Sequence, residues 1–202
     1  MISVVVTNFN YAHYLGRCLR SLVDQTISED EYEIIFVDDC STDDSLHVAS
    51  PFQARINIIT CKENVGLASA SNLGIRAAKG RFIVRVDSDD FVHPEFLRFI
   101  SVFMELKSSE CDAVAVDYLE VDPSGNLINQ KSSQEIPIAC GVAYKSEVML
   151  ELGLYKEGLR IGEDSDFFSK FTSSGYILKN LNLPLYRYTK HTESLTSNIR
   201  LR

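Results

Sequence analysis

Closely spaced cysteines are lacking in this sequence, and its five cysteines are scattered singly along the chain. No two of them form a Cys-x-x-Cys pair, so neither a disulfide framework nor a zinc site is predicted. We expect reduced thiols that serve as small core residues, as in a cytoplasmic protein. The five are Cys18, Cys40, Cys61, Cys111 and Cys140.

Long apolar runs and a surplus of basic residues are also lacking. No stretch approaches the ~20 apolar residues that cross a bilayer, and no basic leader precedes the first strand. We therefore expect any membrane contact to be peripheral or through a partner subunit. The net charge of -8 argues against nucleic acid, which is bound by basic faces. No Gly-x-Gly-x-x-Gly follows a predicted strand, which argues against a dinucleotide oxidoreductase.

Apolar, β-branched runs alternate with amphipathic helical segments over about residues 1–110. This order predicts a parallel sheet with helices on both faces. Over about residues 111–202 the rhythm changes to a hairpin, a short strand and two further helices. We expect one α/β domain over residues 1–202 with two unlike halves. The predicted strands of the first half are 2–6, 31–37, 56–60 and 82–86.

Three carboxylates within four residues follow the predicted central strand. The apolar run from Phe82 is interrupted only by Arg85 and leads to Asp87, Asp89 and Asp90. Crowded like charges need water, an arginine or a cation to offset them, and carboxylate oxygens suit Mg²⁺ or Mn²⁺. The carboxyl edge of an α/β sheet is also where ligands bind. A metal site and an ordinary Asp-rich turn both remain open.

Two further pairs of acidic residues stand at the ends of predicted elements, one after the second strand and one at the start of a later helix. Thr7 and Asp38-Asp39 end neighbouring predicted strands, so their side chains can converge on one crevice. Alternatively, the two acids cap the next helix together with Ser41 or Thr42. Glu163-Asp164 begins a helix in the second half, either as favourable partners of the helix dipole or as the source of a general base.

These stretches, in this order, resemble glycosyltransferase family 2, the GT-A-fold family that transfers sugars from nucleotide donors. The resemblance extends from Val4 to about Thr196. Its pieces are Val-Val-Thr-Asn-Phe-Asn at the first strand end, Val37 to Asp43, Asn64-Val65-Gly66, Asn72-Leu73-Gly74-Ile75, Asp87-Ser88-Asp89-Asp90, Gly162-Glu163-Asp164, and Tyr186-Arg187 with His191 and Ser194.

The resemblance implies a fold and a set of site residues. The fold is a GT-A-type, Rossmann-like sheet, mostly parallel, with a nucleotide-sugar-binding half (about 1–110) and a mixed acceptor-binding half (about 111–202). Asp89 is implied to bind Mg²⁺ or Mn²⁺ together with Asp87, and His191 is a further candidate ligand. Asp164 is the implied general base, ahead of Glu163 and Asp166. The implied donor contacts are Thr7, Phe9, Asp38, Asp39, Asn64, Gly66, Asn72, Asp87 and Ser88.

The expected function is inverting, metal-dependent transfer of a sugar from a nucleoside-diphosphate sugar, UDP-linked by resemblance, to an acceptor hydroxyl. The acceptor would be a glycan, a lipid-linked intermediate or a protein in surface-polysaccharide or glycoconjugate synthesis, at the cytoplasmic side of the membrane. Ser71 stands where relatives carry a basic residue, and Arg76 or Arg81 are the candidates to compensate. The alternatives are a nucleotide-sugar-binding module or subunit without its own activity, and a sugar-1-phosphate nucleotidyltransferase.

Overall fold

A mixed sheet with helices on both faces forms the centre of the protein. The computed structural model describes residues 1–135, 138–159 and 161–194. Within them the strands are β1 (Ile2–Asn8), β2 (Tyr32–Asp38), β3 (Ile56–Thr60), β4 (Phe82–Asp87), β5 (Phe91–Val92), β6 (Ala113–Val121), β7 (Leu127–Lys131), β8 (Val142–Lys145) and β9 (Leu178–Thr189). The helices are α1 (Ala12–Val23), α2 (Ser45–Ala49), α3 (Leu67–Ala77), α4 (Phe96–Leu106), α5 (Ser146–Glu151) and α6 (Glu163–Ser173).

The sheet has the order β3-β2-β1-β4-β8-β6-β9-β5, and β7 pairs with β6. β3, β2, β1 and β4 are mutually parallel. β8 then runs antiparallel to β4 and β6, whereas β9 is parallel to β6. The predicted α/β class, with a parallel first half and a mixed second half, is confirmed. The carboxyl ends of β1, β2 and β4 therefore meet at one edge of the sheet.

Alternation along the strands divides the core between the two faces of the sheet. Val84 and Val86 of β4 pack with the apolar faces of α1 and α4 in one cluster. Ile83 belongs to a second cluster with residues of α3, α5 and α6. Arg85 has the parity of Ile83, so its side chain leaves the sheet on the α6 side.

One local expectation differs from the structure. Ser41 and Thr42 do not cap α2, which begins at Ser45. The Ser41 hydroxyl instead accepts a hydrogen bond from the Asn10 amide at 3.0 Å, because that turn is bound to the end of β1. The tail from residue 176, expected to be a strand and then irregular, forms β9 to Thr189 and is irregular over the described residues that follow. The expected resemblance up to Thr196 runs beyond the described residues.

The helices of the described ranges are short compared with a bilayer. None of them is long and apolar enough to cross a membrane.

Candidate active site

The site lies at the carboxyl edge formed by β1, β2 and β4. Thr7 pairs with Asp87 of β4, and the next residue, Asn8, pairs with Asp38 of β2. Neighbouring strands are about 4.8 Å apart, so the ends of β2 and β4 stand roughly 10 Å apart across β1. Acids from two separate stretches of sequence thereby border one crevice.

Asp39 fixes the loop that leads into α3. Its carboxylate accepts hydrogen bonds from the Val65 amide at 2.7 Å and the Gly66 amide at 2.9 Å. The Asn64 side chain donates to the Asp39 carbonyl at 3.3 Å. Gly66 has a φ of +85°, a conformation that favours glycine. The loop bearing Asn64 and Gly66 is thus held beside the end of β2, and each Asp39 oxygen retains a lone pair for a further donor.

Asp38 supports the turn that follows β2. Its carboxylate accepts from the Asn8 side chain at 3.2 Å and from the Ser41 amide at 3.0 Å. The side chains of Thr7 and Asp38 are buried, while Phe9 is 44% exposed at the rim of the crevice. Of these three predicted donor-binding residues, Phe9 is the one that presents a large free surface.

Asn72 is engaged within the protein. Its amide donates to the Tyr155 carbonyl at 2.8 Å and to Glu157 at 3.1 Å, and its carbonyl accepts from the Tyr155 amide at 3.0 Å. These bonds tie α3 to the segment after α5. The predicted donor contact of Asn72 therefore competes with a structural role.

The two candidate replacements for a basic residue at position 71 lie away from this edge. Arg81 precedes β4, and its amide donates to the Met1 carbonyl, so it stands roughly 20 Å along the strand from Asp87. Arg76 lies in the last turn of α3 and is exposed. Neither arginine therefore takes the place of a basic residue at the crevice, because α3 and β4 position them at the opposite end of the sheet.

Asp89 and His191 are in direct contact. The His191 Nε2 lies 2.8 Å from the Asp89 Oδ2, although the residues are 102 positions apart in the chain. The histidine side chain is 3% exposed and the Asp89 side chain 16%. The imidazole ring packs against the rings of Tyr14 and Tyr11, with centroid distances of 4.7 and 5.7 Å. Two predicted metal ligands therefore meet at the mouth of the crevice.

Arg85 joins two predicted site acids beneath that mouth. Its Nε lies 3.2 Å from the Asp87 Oδ1, and its Nη1 lies 3.0 Å from the Glu163 Oε1. The side chains of Arg85 and Glu163 are each 6% exposed. The charge of Glu163 is therefore compensated inside the protein by Arg85. Burial raises the pKa of Asp87, and Arg85 opposes that rise.

Asp90 is buried at the turn after β4, where residues of β9 bind it. Its carboxylate accepts hydrogen bonds from the Thr189 amide at 2.7 Å and the Tyr186 hydroxyl at 2.8 Å. Burial raises the pKa of Asp90 well above its ordinary value, and Asp89 and Asp87 raise it further. Asp90 therefore anchors β9 to the turn after β4.

Two donor sets near β4 differ in their suitability for a divalent cation. Ligand atoms of Asp87, Asp90 and Cys140 lie within 4.8 Å of one another. A thiol is a soft ligand, and both oxygens of Asp90 already accept hydrogen bonds, so this set does not suit Mg²⁺ or Mn²⁺. Asp89, Asp87 and His191 offer hard oxygens and an imidazole, a chemistry that suits such an ion better, but in the described residues their ligand atoms do not all lie within 4.8 Å of one another.

Asp164 lines a cavity in the second half of the chain. It is half-buried in the first turn of α6, and its carboxylate accepts a hydrogen bond from the Ser165 amide at 2.7 Å. The cavity measures about 210 Å³ and is lined mainly by apolar side chains, among them Tyr144, Tyr155, Phe167, Phe168 and Leu178. The competing acid Asp166 instead pairs with Lys170 at 2.7 Å. Asp164 is thus the acid of this helix that borders open space.

Sequence reasoning missed the partners of these acids. Arg85 was visible as a polar interruption in a buried strand, and such an interruption calls for a buried counter-ion. Tyr186 gave no comparable signal, because a tyrosine in a strand is ordinary. Ser88, which stands between Asp87 and Asp89 in the chain, is buried.

Comparison with known proteins identifies the family. Residues 3–169 match the model of glycosyl transferase family 2. The chain belongs to this family. The family predicted from the sequence motifs is thereby confirmed.

Two curated relatives place this family 2 chain more closely. Poly(ribitol-phosphate) β-N-acetylglucosaminyltransferase TarS of Staphylococcus aureus is 31% identical over 206 residues, which cover 95% of this chain and 36% of that protein. Glycosyltransferase GlyG of Streptococcus pneumoniae is 34% identical over 139 residues, which cover 67% of this chain and 45% of that protein. The chain spans less than half the length of either relative.

Solved structures share the fold. Staphylococcus aureus TarS 1–349 in complex with UDP-GlcNAc matches with a TM-score of 0.85 at 24% identity, over 97% of this chain and 60% of that one. Mannosyltransferase PcManGT from Pyrobaculum calidifontis, in complex with GDP-Man and Mn²⁺, matches with a TM-score of 0.75 at 19% identity, over 98% and 59%. These matches confirm the GT-A-type fold of the family 2 chain.

Proposed function

We propose that this chain is an inverting, metal-dependent glycosyltransferase that moves a sugar from a UDP-sugar to an acceptor hydroxyl. The observation that carries the proposal is the gathering of acids at one sheet edge. Asp39 borders it from β2, Asp87 and Asp89 from β4, and the cavity of Asp164 adjoins through the Arg85–Glu163 pair. One group of acids is suited to hold a charged donor, and a separate acid remains for the acceptor.

Asp39 is the proposed partner of the nucleotide base. A uracil ring presents an N–H donor, and the Asp39 carboxylate keeps acceptor capacity on oxygens already fixed by two backbone amides. Phe9 would border the base at the rim, and the loop at Asn64 and Gly66 would flank the phosphates. The complex of TarS with UDP-GlcNAc supports a UDP-linked donor.

Asp89, Asp87 and His191 are the proposed ligands of Mg²⁺ or Mn²⁺. When bound, the cation offsets the negative charge that develops on the departing nucleoside diphosphate. The PcManGT complex contains Mn²⁺, which supports a similar ion here. His191 holds the Asp89 carboxylate at the mouth of the crevice, where the diphosphate would lie.

Asp164 is the proposed general base. A sugar hydroxyl is a weak nucleophile until its proton is removed, and a positioned carboxylate can accept that proton as the hydroxyl attacks the anomeric carbon. Glu163 does not compete, since Arg85 neutralises it. A single displacement from the face opposite the leaving group inverts the anomeric centre.

The setting proposed for the reaction is synthesis of a surface polysaccharide or glycoconjugate at the cytoplasmic side of the membrane. Relatives named for poly(ribitol-phosphate) glycosylation and chondroitin synthesis support a glycan acceptor. The free cysteines support a reducing compartment.

The first test compares Asp89→Asn and Asp164→Asn with Asp166→Asn, the same change two residues further along α6. We expect release of UDP from UDP-GlcNAc with Mn²⁺ and an acceptor glycan to fall about 10²–10⁴-fold in the first two variants. Asp166→Asn should stay close to the wild type, because its partner is the exposed Lys170. Near-normal turnover in Asp164→Asn would remove it as the base.

A second candidate function is a nucleotide-sugar-binding unit whose turnover requires more chain or a partner subunit. The observation in its favour is that the chain spans less than half of its curated relatives. Stabilisation of the fold by UDP-GlcNAc and Mn²⁺, without release of UDP under any acceptor, would favour this candidate.

A further inference from the structure

Arg85 contacts one acid from each half of the protein. Asp87 ends β4 on the donor side, and Glu163 begins α6 on the acceptor side; both bind the same guanidinium at 3.2 and 3.0 Å. The three side chains carry two negative charges and one positive charge. The Glu163 carboxylate accepts a hydrogen bond from the Arg85 Nη1, whereas the Arg85 Nε makes a charge contact with the partly exposed Asp87 that lacks hydrogen-bond geometry. One guanidinium thus joins acids from distant parts of the chain, and its planar donors suit a carboxylate partner.

We propose that Arg85 is a positioning residue for the transfer step, holding the start of α6, and with it Asp164, at a fixed place relative to the end of β4. This role rests on the proposed function. Arg85 touches neither the donor nor the acceptor in this scheme; it acts through Glu163, the residue that precedes the base.

The local contacts of Asp164 explain why the start of α6 needs the Arg85–Glu163 ion pair to hold it. In the part of the chain that the structure describes, the hydrogen bonds accepted by the Asp164 carboxylate come from Ser165 alone. The carboxylate therefore takes its position from the first turn of α6. Gly162, with a φ of +88°, precedes that turn without a side-chain cap, so the Glu163–Arg85 pair is the buried anchor of the helix start.

The surroundings of Arg85 make this anchor rigid. The guanidinium lies 5.3 Å from the centroid of the Tyr155 ring. The backbone of Tyr155 is bound on both sides by the amide of Asn72 in α3, and the Arg85 carbonyl accepts from the Gly141 amide at 3.0 Å. Arg85 thus stands where β4, α3, α6 and the segment before β8 meet.

The structural test uses Arg85→Lys and Glu163→Gln, with Arg98→Lys as the matched control on the exposed face of α4. Lysine keeps the charge but is a compact point donor that does not reproduce the planar guanidinium. We expect hydrogen exchange of the backbone amides in the first turn of α6 to accelerate at least about tenfold in both test variants. Arg98→Lys should leave it unchanged. Unchanged exchange at the start of α6 in both test variants would overturn the proposal.

The kinetic test separates positioning from a merely structural role. With UDP-GlcNAc, Mn²⁺ and an acceptor glycan, we expect kcat of both test variants to fall about 10²-fold, because small displacements of a catalytic group have effects of that size. In the presence of Mn²⁺, the UDP concentration that gives half of the maximal thermal shift should stay within twofold of the wild-type value. Lower stability with an unchanged kcat of the folded protein would overturn the proposal, as would weaker UDP binding with an unchanged kcat.

The two arms also keep this proposal distinct from the proposed function. If the wild type releases no UDP from UDP-GlcNAc, the proposed activity with that donor fails. Amide exchange at the start of α6 then decides alone whether Arg85 fixes the place of Asp164.

Discussion

Asp89 and Asp90 are adjacent in the chain but have different partners. Asp89 lies at the crevice against His191, whereas Asp90 is buried and accepts hydrogen bonds from Tyr186 and Thr189. The difference follows from the turn after β4, which directs one acid outward and the next inward. Three carboxylates that look equivalent in the sequence therefore divide into candidate ligands and an anchor.

The raised pKa of Asp90 has a defined effect on stability. A carboxyl whose pKa is higher in the folded than in the unfolded protein binds its proton more readily when folded. Its contribution to the free energy of unfolding is fully present below the ordinary pKa of 3.8 and is lost as the pH rises through the raised pKa.

Asp90→Asn cannot titrate, so it tests this effect directly. We expect the wild type to lose stability relative to Asp90→Asn as the pH rises above 3.8, in urea unfolding with a chelator present. If the free energy of unfolding of the wild type instead rises relative to that of Asp90→Asn as the pH increases, the folded protein prefers the charged carboxylate.

The end of each strand could be predicted from single residues. The contacts that the site residues make with distant parts of the chain could not. β-Branched runs that stop at Asp38 and Asp87 mark the carboxyl edge of the sheet, because buried strands exclude unpaired charges. The contact of Asp89 with His191 joins residues 102 positions apart, and no local pattern records it. The contacts of Arg85 with Asp87 and Glu163 likewise depend on where α6 packs.

At the scale of elements, α3 packs unusually closely on the parallel strands. A Cβ added at Gly74 would lie 2.5 Å from the Val5 Cγ1 and 3.1 Å from the Val37 Cγ2. The glycine of the sequence motif thus has a packing reason that needs no ligand. This close approach also brings Asn72 of the same helix to the Tyr155 backbone.

Gly74→Ala should destabilise the protein by about 1–3 kcal/mol, because the added methyl group overfills the contact between α3 and the sheet. Gly16→Ala in α1 is the matched control, since its Cβ would meet Val48 at 3.4 Å. Alanine there should be neutral or stabilising by up to about 1 kcal/mol through helix propensity. Equal losses in the two variants, measured by chemical denaturation, would contradict this explanation.

β9 accommodates a proline within its length. Pro184 lacks an amide hydrogen, which normally confines proline to edge strands or irregularities of a sheet. In the structure it pairs with Asp117 at a shift in the β6–β9 register, an irregularity at which the sheet tolerates proline. The strand consequently continues to Thr189, where its amide reaches Asp90.

At the scale of the whole molecule, both halves contribute to one crevice, so ligand binding should stabilise the entire fold. A ligand that binds only the folded protein adds about 2.7 kcal/mol at a concentration of 100 times its Kd. We expect UDP with Mn²⁺ to raise the Tm, and UDP with a chelator to raise it much less. If UDP raises the Tm equally with and without Mn²⁺, the metal has no part in donor binding.

The position of β9 has a consequence for biosynthesis. The hydroxyl and amide that bind Asp90 and the imidazole that touches Asp89 all come from residues 186–191. A nascent chain that has emerged only as far as β6 already carries Asp89 and Asp90 but not the residues that bind them. These contacts therefore form only after the segment 186–191 has been synthesised, and an unfinished polypeptide that lacks this segment has an incomplete crevice.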